Sequence, residues 1–211
     1  MARIPAAAPN QTSPMNLPVV ASPYPDPQPA TSHPAVRTAL VNMPFALADR
    51  PSIQCGLLKA SLVRAGFPTD VHYFNLELAA ILGAKRYAII AALRSDQFVG
   101  DWLFTSAAFG CRSDEAAYRE ACSDVLDTCA RLEMDFDDLC RLRDETVPAL
   151  VDQWAAATDW SRYCVVGFTS MFEQNVAALA LARRIAPARR PVALLGIRAG
   201  HLGTQAPVVS Q

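Results

Sequence analysis

The chain has 211 residues, is 52% hydrophobic and carries a formal charge of -1, which suffices for one buried core and gives no electrostatic case for nucleic acid. No run is long and apolar enough to cross a membrane. The six cysteines (Cys55, Cys111, Cys122, Cys129, Cys140, Cys164) are spread without a C-x-x-C pair, the pattern of buried thiols in a reducing cytoplasm rather than of a metal knuckle or disulfide framework.

Met1 to Pro34 holds nine of the sixteen prolines, and such a segment cannot offset its ordering entropy by apolar burial. It is expected to be a disordered tail. With Arg3 its one Lys or Arg and only Leu17 to Ala21 as an apolar stretch, it does not read as a signal peptide. The folded region is expected over residues 35–197.

Arg37 to Phe45 (RTALVNMPF) is a near-continuous apolar run interrupted by Pro44, which predicts a first parallel strand buried on both faces. After a loop, Gly56 to Ala65 puts Leu58, Leu62 and Ala65 on one helical stripe, closed by Gly66 as a left-handed cap. Thr69 to Phe74 (TDVHYF) alternates and predicts a second strand ended by Asn75. His72 on that strand reads as a satisfied structural histidine.

Leu76 to Trp160 is then a helical insertion of about eighty residues, where one crossover helix would do. Tyr87 to Phe109 predicts two short helices, broken near Ser95 and at Gly100. Two more follow over Glu115 to Glu133 and Phe136 to Thr158, the second divided by Pro148. An insertion of that size suggests a lid, a substrate surface or a partner domain.

Tyr163 to Phe168 is the third strand. Ser170 and Glu173 have the spacing of a capping box, which predicts a helix from about Ser170 to Ile185. In an open α/β sheet, ligands bind outside the carboxyl ends of the strands. Thr169, Ser170, Gln174 and Asn175 stand at that edge; a plain strand-to-helix joint accounts for them equally. Pro191 to Ile197 begins a fourth strand, after which residues 198–211 offer neither helix nor strand. The fold class is therefore α/β: a Rossmann-like (flavodoxin-like) parallel sheet of about four strands, incomplete at its C-terminus, with a large helical insertion.

Five blocks in order, ALVNMPFALADRPSIQ, GLLKASLVRAGF, DVHYFNLELAAILG, GDWLFTSAAFG and VVGFTSMFEQNVAALALARRI, resemble the N-terminal, cobalamin-binding region of radical S-adenosylmethionine C-methyltransferases that mature ribosomally synthesised peptides. The resemblance covers roughly Ala35 to Leu195. It implies a cobalamin across the carboxyl edge of the sheet, held by Pro44, Arg50, Pro51, Ser52 and Gln54 on one side. Thr169, Ser170, Met171, Phe172, Gln174 and Asn175 would hold it on the other, with its phosphate at the Ser170 helix start and Arg50 near its lower face. The partner it implies is a precursor peptide, reached through a radical domain that is separate or missing. That domain would carry the [4Fe-4S] cluster and S-adenosylmethionine, for which this chain has no C-x-x-x-C-x-x-C ligands. The lower-ligand Asp-x-His-x-x-Gly loop is absent too, as it is from the family resembled. Two other readings stand beside this one: an α/β module or degenerate remnant that binds nothing, and a flavin or nucleotide domain. The first turn holds no G-x-G-x-x-G for the latter.

Overall fold

The computed structural model describes residues 36–93, 97–110, 114–171, 173–186 and, by their backbone, 192–195. The Pro-rich segment 1–34, the tail 198–211, Cys111 and Phe172 lie outside the described residues.

Strand β1, Thr38–Asn42, is buried along its whole length. It is the inner strand because it is hydrogen-bonded in parallel on both sides, Leu40 standing opposite Val71 of β2 (Thr69–Tyr73) and Gly167 of β3 (Val165–Thr169). Backbone segment β4, Val192–Leu195, pairs in parallel with β3, giving the order β2-β1-β3-β4. The architecture is α/β, a small parallel sheet with many helices. β1 stops at Asn42, three residues short of the expected Phe45. There the Ala46 amide donates to the Met43 carbonyl and Phe45 takes a left-handed backbone (φ 66°), so the chain turns off the sheet edge.

Helix α1, Ile53–Arg64, follows a Ser52 cap whose hydroxyl accepts from the Cys55 amide, 3.3 Å. It closes as expected at Gly66 (φ 86°): the Gly66 amide donates to the Val63 carbonyl and the Phe67 amide to Leu62, the paired bonds of a Schellman end. Leu58, Leu62 and Ala65 of the expected stripe are half-buried. The helix nonetheless leaves large apolar side chains in water, with Ile53 75%, Leu57 66% and Val63 52% exposed.

The insertion supplies α2 (Phe74–Leu82), α3 (Ala84–Ala91), α4 (Val99–Leu103), α5 (Thr105–Phe109), α6 (Glu115–Ala121), α7 (Val125–Leu132), α8 (Phe136–Arg141) and α9 (Val147–Ala157). Four boundaries differ from the sequence reading. The stretch Glu115 to Glu133 is two helices, α6 and α7, parted at Cys122–Asp124. Phe74 and Asn75 already belong to α2, which leaves β2 without a loop. Gly100 lies inside α4 and breaks nothing. The long segment 136–158 is not divided at Pro148: the helical backbone runs on from α8 through a π-helical turn at Leu142–Thr146 into α9, and Pro148 falls in the first turn after that wider one.

These helices are not an appendage. Ala39, Val41, Val166 and Phe168, alternate residues on one face of the sheet, share a single core with Leu78, Tyr87, Leu103, Phe104, Val147 and Trp154 of the insertion and Leu181 of α10 (Asn175–Ile185). Phe74 stacks on Trp154 with ring centroids 4.7 Å apart. The insertion is the layer that buries this face of the sheet. It also buries Arg143 completely. That guanidinium is neutralised by Asp144 (2.6 Å) and Glu115 (2.8 Å) and lies over the Trp102 ring, 4.4 Å from its centroid. Cys55, Cys122, Cys129 and Cys140 are buried thiols, and burial raises those of Cys55 and Cys129.

His72 is structural, as expected. It packs among Phe74, Trp160 and Tyr163, its Nε2 3.2 Å from the Tyr163 hydroxyl. Because that hydroxyl donates to Asp70 Oδ2 (3.0 Å), it is the acceptor for the histidine proton.

Candidate functional site

The strand order carries the chain from β1 toward β2 on one side and from β3 toward β4 on the other. The loops leaving β1 and β3 therefore part at the carboxyl edge, which makes the β1/β3 junction a topological switch point. Residues 43–52, leaving β1, form one wall of this edge, and Ser170, Met171, Glu173 and Gln174, leaving β3, form the other.

Both walls are tied down by side chains. Thr169 Oγ accepts from the Met43 amide at 2.9 Å, and Gln174 Nε2 donates to the Met43 carbonyl at 3.3 Å. Gln174 Oε1 accepts in turn from the Met171 amide at 3.2 Å. The first wall is held from behind by Tyr87, whose hydroxyl donates to the Ala46 carbonyl (2.6 Å), and by Asn75, whose Nδ2 donates to the Leu47 carbonyl (3.2 Å).

The expected capping box is not formed. Helix α10 begins at Asn175, five residues after Ser170, and the Ser170 hydroxyl bonds the Asn175 side chain instead of a first-turn amide. Glu173 sits in a left-handed backbone (φ 66°) and its carboxylate points away from α10, accepting from the Gly100 and Asp101 amides of α4 at 2.5 and 3.2 Å. The first-turn amide of Val176 in α10 donates to Asp101 Oδ1 at 2.9 Å. Two helix N-termini thus exchange caps: an acid just before α10 caps α4, and an acid in α4 caps α10.

The exchange leaves no room at Gly100. A Cβ there would stand 2.6 Å from Phe45 Cδ2 and 2.7 Å from Glu173 Oε2. Phe45 cannot swing clear, because its ring is stacked on Tyr87 at 5.5 Å and meets Phe104 edge-on at 6.3 Å. Burial raises the Glu173 carboxyl from its ordinary 4.5 to about 6, against the two amide bonds and with a smaller push from Asp101. Burial raises the Asp101 carboxyl as well.

Of the residues expected at the site, Gln54, Thr169, Met171 and Gln174 are brought together, Gln54 Nε2 lying 3.6 Å from Met171 Sδ. Pro44 and Gln174 are buried, and Thr169 and Gln174 fasten the walls to each other. Arg50 is exposed and paired with its neighbour Asp49 at 2.9 Å. Pro51, Met171 and Asn175 are exposed, and Ser52, Gln54, Thr169 and Ser170 half-buried. Sequence reasoning did not find Asp101, Gly100, Tyr87 or Asn75. A glycine next to an acid in an otherwise apolar knot (VGDWLF) was the one local signal.

Two cavities adjoin this region. A void of about 10 Å³, the size of one water, lies between α1 and β3 against Gln54, Cys55, Leu58 and Thr169. A mostly apolar cavity of about 370 Å³ lies on the far side of α4, lined by Phe98, Asp101, Trp102, Thr105, Tyr118 and Cys122, among others. Among the described residues no helix is long and apolar enough to cross a membrane. Comparison of the chain with protein-family models, curated proteins and solved structures gave no match.

Proposed function

We propose that this chain is a Rossmann-like, corrinoid-binding domain, contributing the cobalamin half of a radical S-adenosylmethionine methyltransferase that C-methylates a ribosomally synthesised peptide. The observation that carries the reading is the β1/β3 switch point, where the loops leaving the two strands are hydrogen-bonded to each other. The resemblance of five sequence blocks supports it.

The geometry alters what each residue would do. Ser52, Gln54, Ser170 and Asn175 have side chains at the open edge and would meet the amide arms of a corrin ring. Met171, exposed, would lie against its rim. Thr169, Gln174, Tyr87 and Asn75 position the walls. A phosphate at the start of α10 does not fit, since the Asp101 carboxylate already serves the Val176 amide. When bound, a methylated corrinoid supplies the methyl group, while the residues here bind, orient and shield it. The cluster, S-adenosylmethionine and the grip on the precursor peptide would belong to a separate radical domain.

A second reading is favoured by one observation: Thr169, Gln174, Glu173 and Arg50 all spend hydrogen bonds on protein partners. On that reading the stretch is an α/β joint that binds no ligand. Titration of the purified chain with hydroxocobalamin, followed by gel filtration and a visible spectrum, separates the two. Colour retained with the protein, in a spectrum without a nitrogen lower ligand, supports the corrinoid domain. A folded but colourless protein refutes it.

A further inference from the structure

The exchange of caps between α4 and α10 stands independently of any ligand. Glu173 Oε2 takes two amides, while Oε1 is buried with no hydrogen-bond partner among the described residues. Among the described residues, the titratable groups that face this carboxyl are Asp101 of α4 and Tyr118 of α6, neither a cation. Asp49 and Arg50 of the first wall are exposed and paired with each other. Among these residues an ionised Glu173 therefore has two amide donors and no counter-charge, at a side chain that is buried.

The backbone around it is strained. Phe45 (φ 66°), Phe98 (φ 49°) and Glu173 (φ 66°) are three of the four non-glycine residues with positive φ among those described. Phe98 caps the first turn of α4, and both other side chains close on Gly100 within that turn. Left-handed backbone at bulky side chains persists only where the surroundings enforce it, and it concentrates at clamps and switches.

We propose that the Glu173–Asp101 exchange is a proton-linked latch between the two walls, closed by protonation of Glu173 and loosened by its ionisation. In the closed state the first turn of α4 is held to the loop after β3 and, through Gly100, to Phe45 of the loop after β1. In the loosened state Glu173 leaves the left-handed backbone and reaches water, and both walls lose their common brace. The direction follows from linkage: a carboxyl with a higher affinity for protons when buried than when solvated favours the buried state as pH falls.

The test is amide hydrogen exchange of the full chain by NMR at pH 7.5 and 5.0, read as protection factors for the Gly100 and Asp101 amides. With a carboxyl at 4.5 when open and about 6 when closed, those factors should rise about eightfold on acidification. Glu173→Gln should abolish the response, and Asp101→Asn should retain it. Flat wild-type protection, a response surviving in Glu173→Gln, or one lost in Asp101→Asn overturns the proposal. Should Glu173→Gln fail to fold, the carboxyl carbon-13 shift of Glu173 in the wild type decides: a midpoint near 6 supports the latch and one near 4.5 refutes it.

Discussion

Replacing Gly100 by alanine adds one methyl group where three atoms already crowd. Its Cβ would meet Phe45 Cδ2 at 2.6 Å, Glu173 Oε2 at 2.7 Å and Phe45 Cε2 at 2.8 Å. Helix propensity alone would favour the change by about 1 kcal/mol. Against that, a buried ring locked by two aromatic neighbours has to shift, a cost of about 1–3 kcal/mol. Displacing Glu173 also weakens its bond to the Gly100 amide, worth about 0.5–1.5 kcal/mol with the carboxyl neutral. The expected balance is a loss of about 1–3 kcal/mol, read as a lower urea midpoint at unchanged slope. Gly56→Ala is the internal control: it too lies within a helix, and its added Cβ meets nothing within 4 Å. It should gain about 0.5–1 kcal/mol. A Gly100→Ala variant as stable as wild type, or more so, would refute the argument that the two walls are braced through this glycine.

Other outcomes follow from the caps and buried charges. Ser52→Ala should cost about 1 kcal/mol by thermal unfolding, since Ser52 caps α1, whereas Ser170→Ala should stay within about 0.5 kcal/mol, since it caps nothing. Burial, with help from Arg162, lowers the His72 imidazole below its ordinary 6.5 despite the opposing pull of Asp70. The folded state thus favours neutral His72, and its contribution to stability is present above pH 6.5 and is lost as pH falls through the folded value. His72→Phe should flatten the fall in melting temperature between pH 7 and 5. Arg143→Met strips the cation from Asp144 and Glu115 and should cost about 3–5 kcal/mol in chemical denaturation.

What the sequence disclosed were the features whose causes are local. The continuous apolar run of β1, the alternation of β2 and the left-handed Gly66 each follow from a few adjacent residues. The insertion's apolar stripes told that its helices bury a face but not against what, so its place as the main core layer was hidden until Ala39, Val41, Val166 and Phe168 were seen to pack on it. The candidate site was misread at one point for a specific reason. Ser170 and Glu173 match a local capping box by spacing, but the partner of Glu173 lies 73 residues earlier in the chain. A cap exchanged between distant helices leaves no periodic trace, and Asp101 and Gly100 were legible only as part of an apolar knot.

The central position of β1 has a consequence during synthesis. One of its edges is filled early by β2, which ends at Tyr73, but the other waits for β3, which begins at Val165. At about 5–20 residues per second, a ribosome leaves that second edge open for roughly 5–20 s while the insertion emerges. For that interval the nascent chain carries an unpaired, largely apolar strand edge of the kind that recruits other chains. Slower translation of residues 74–164 should therefore lower the yield of soluble protein even though the finished fold is unchanged.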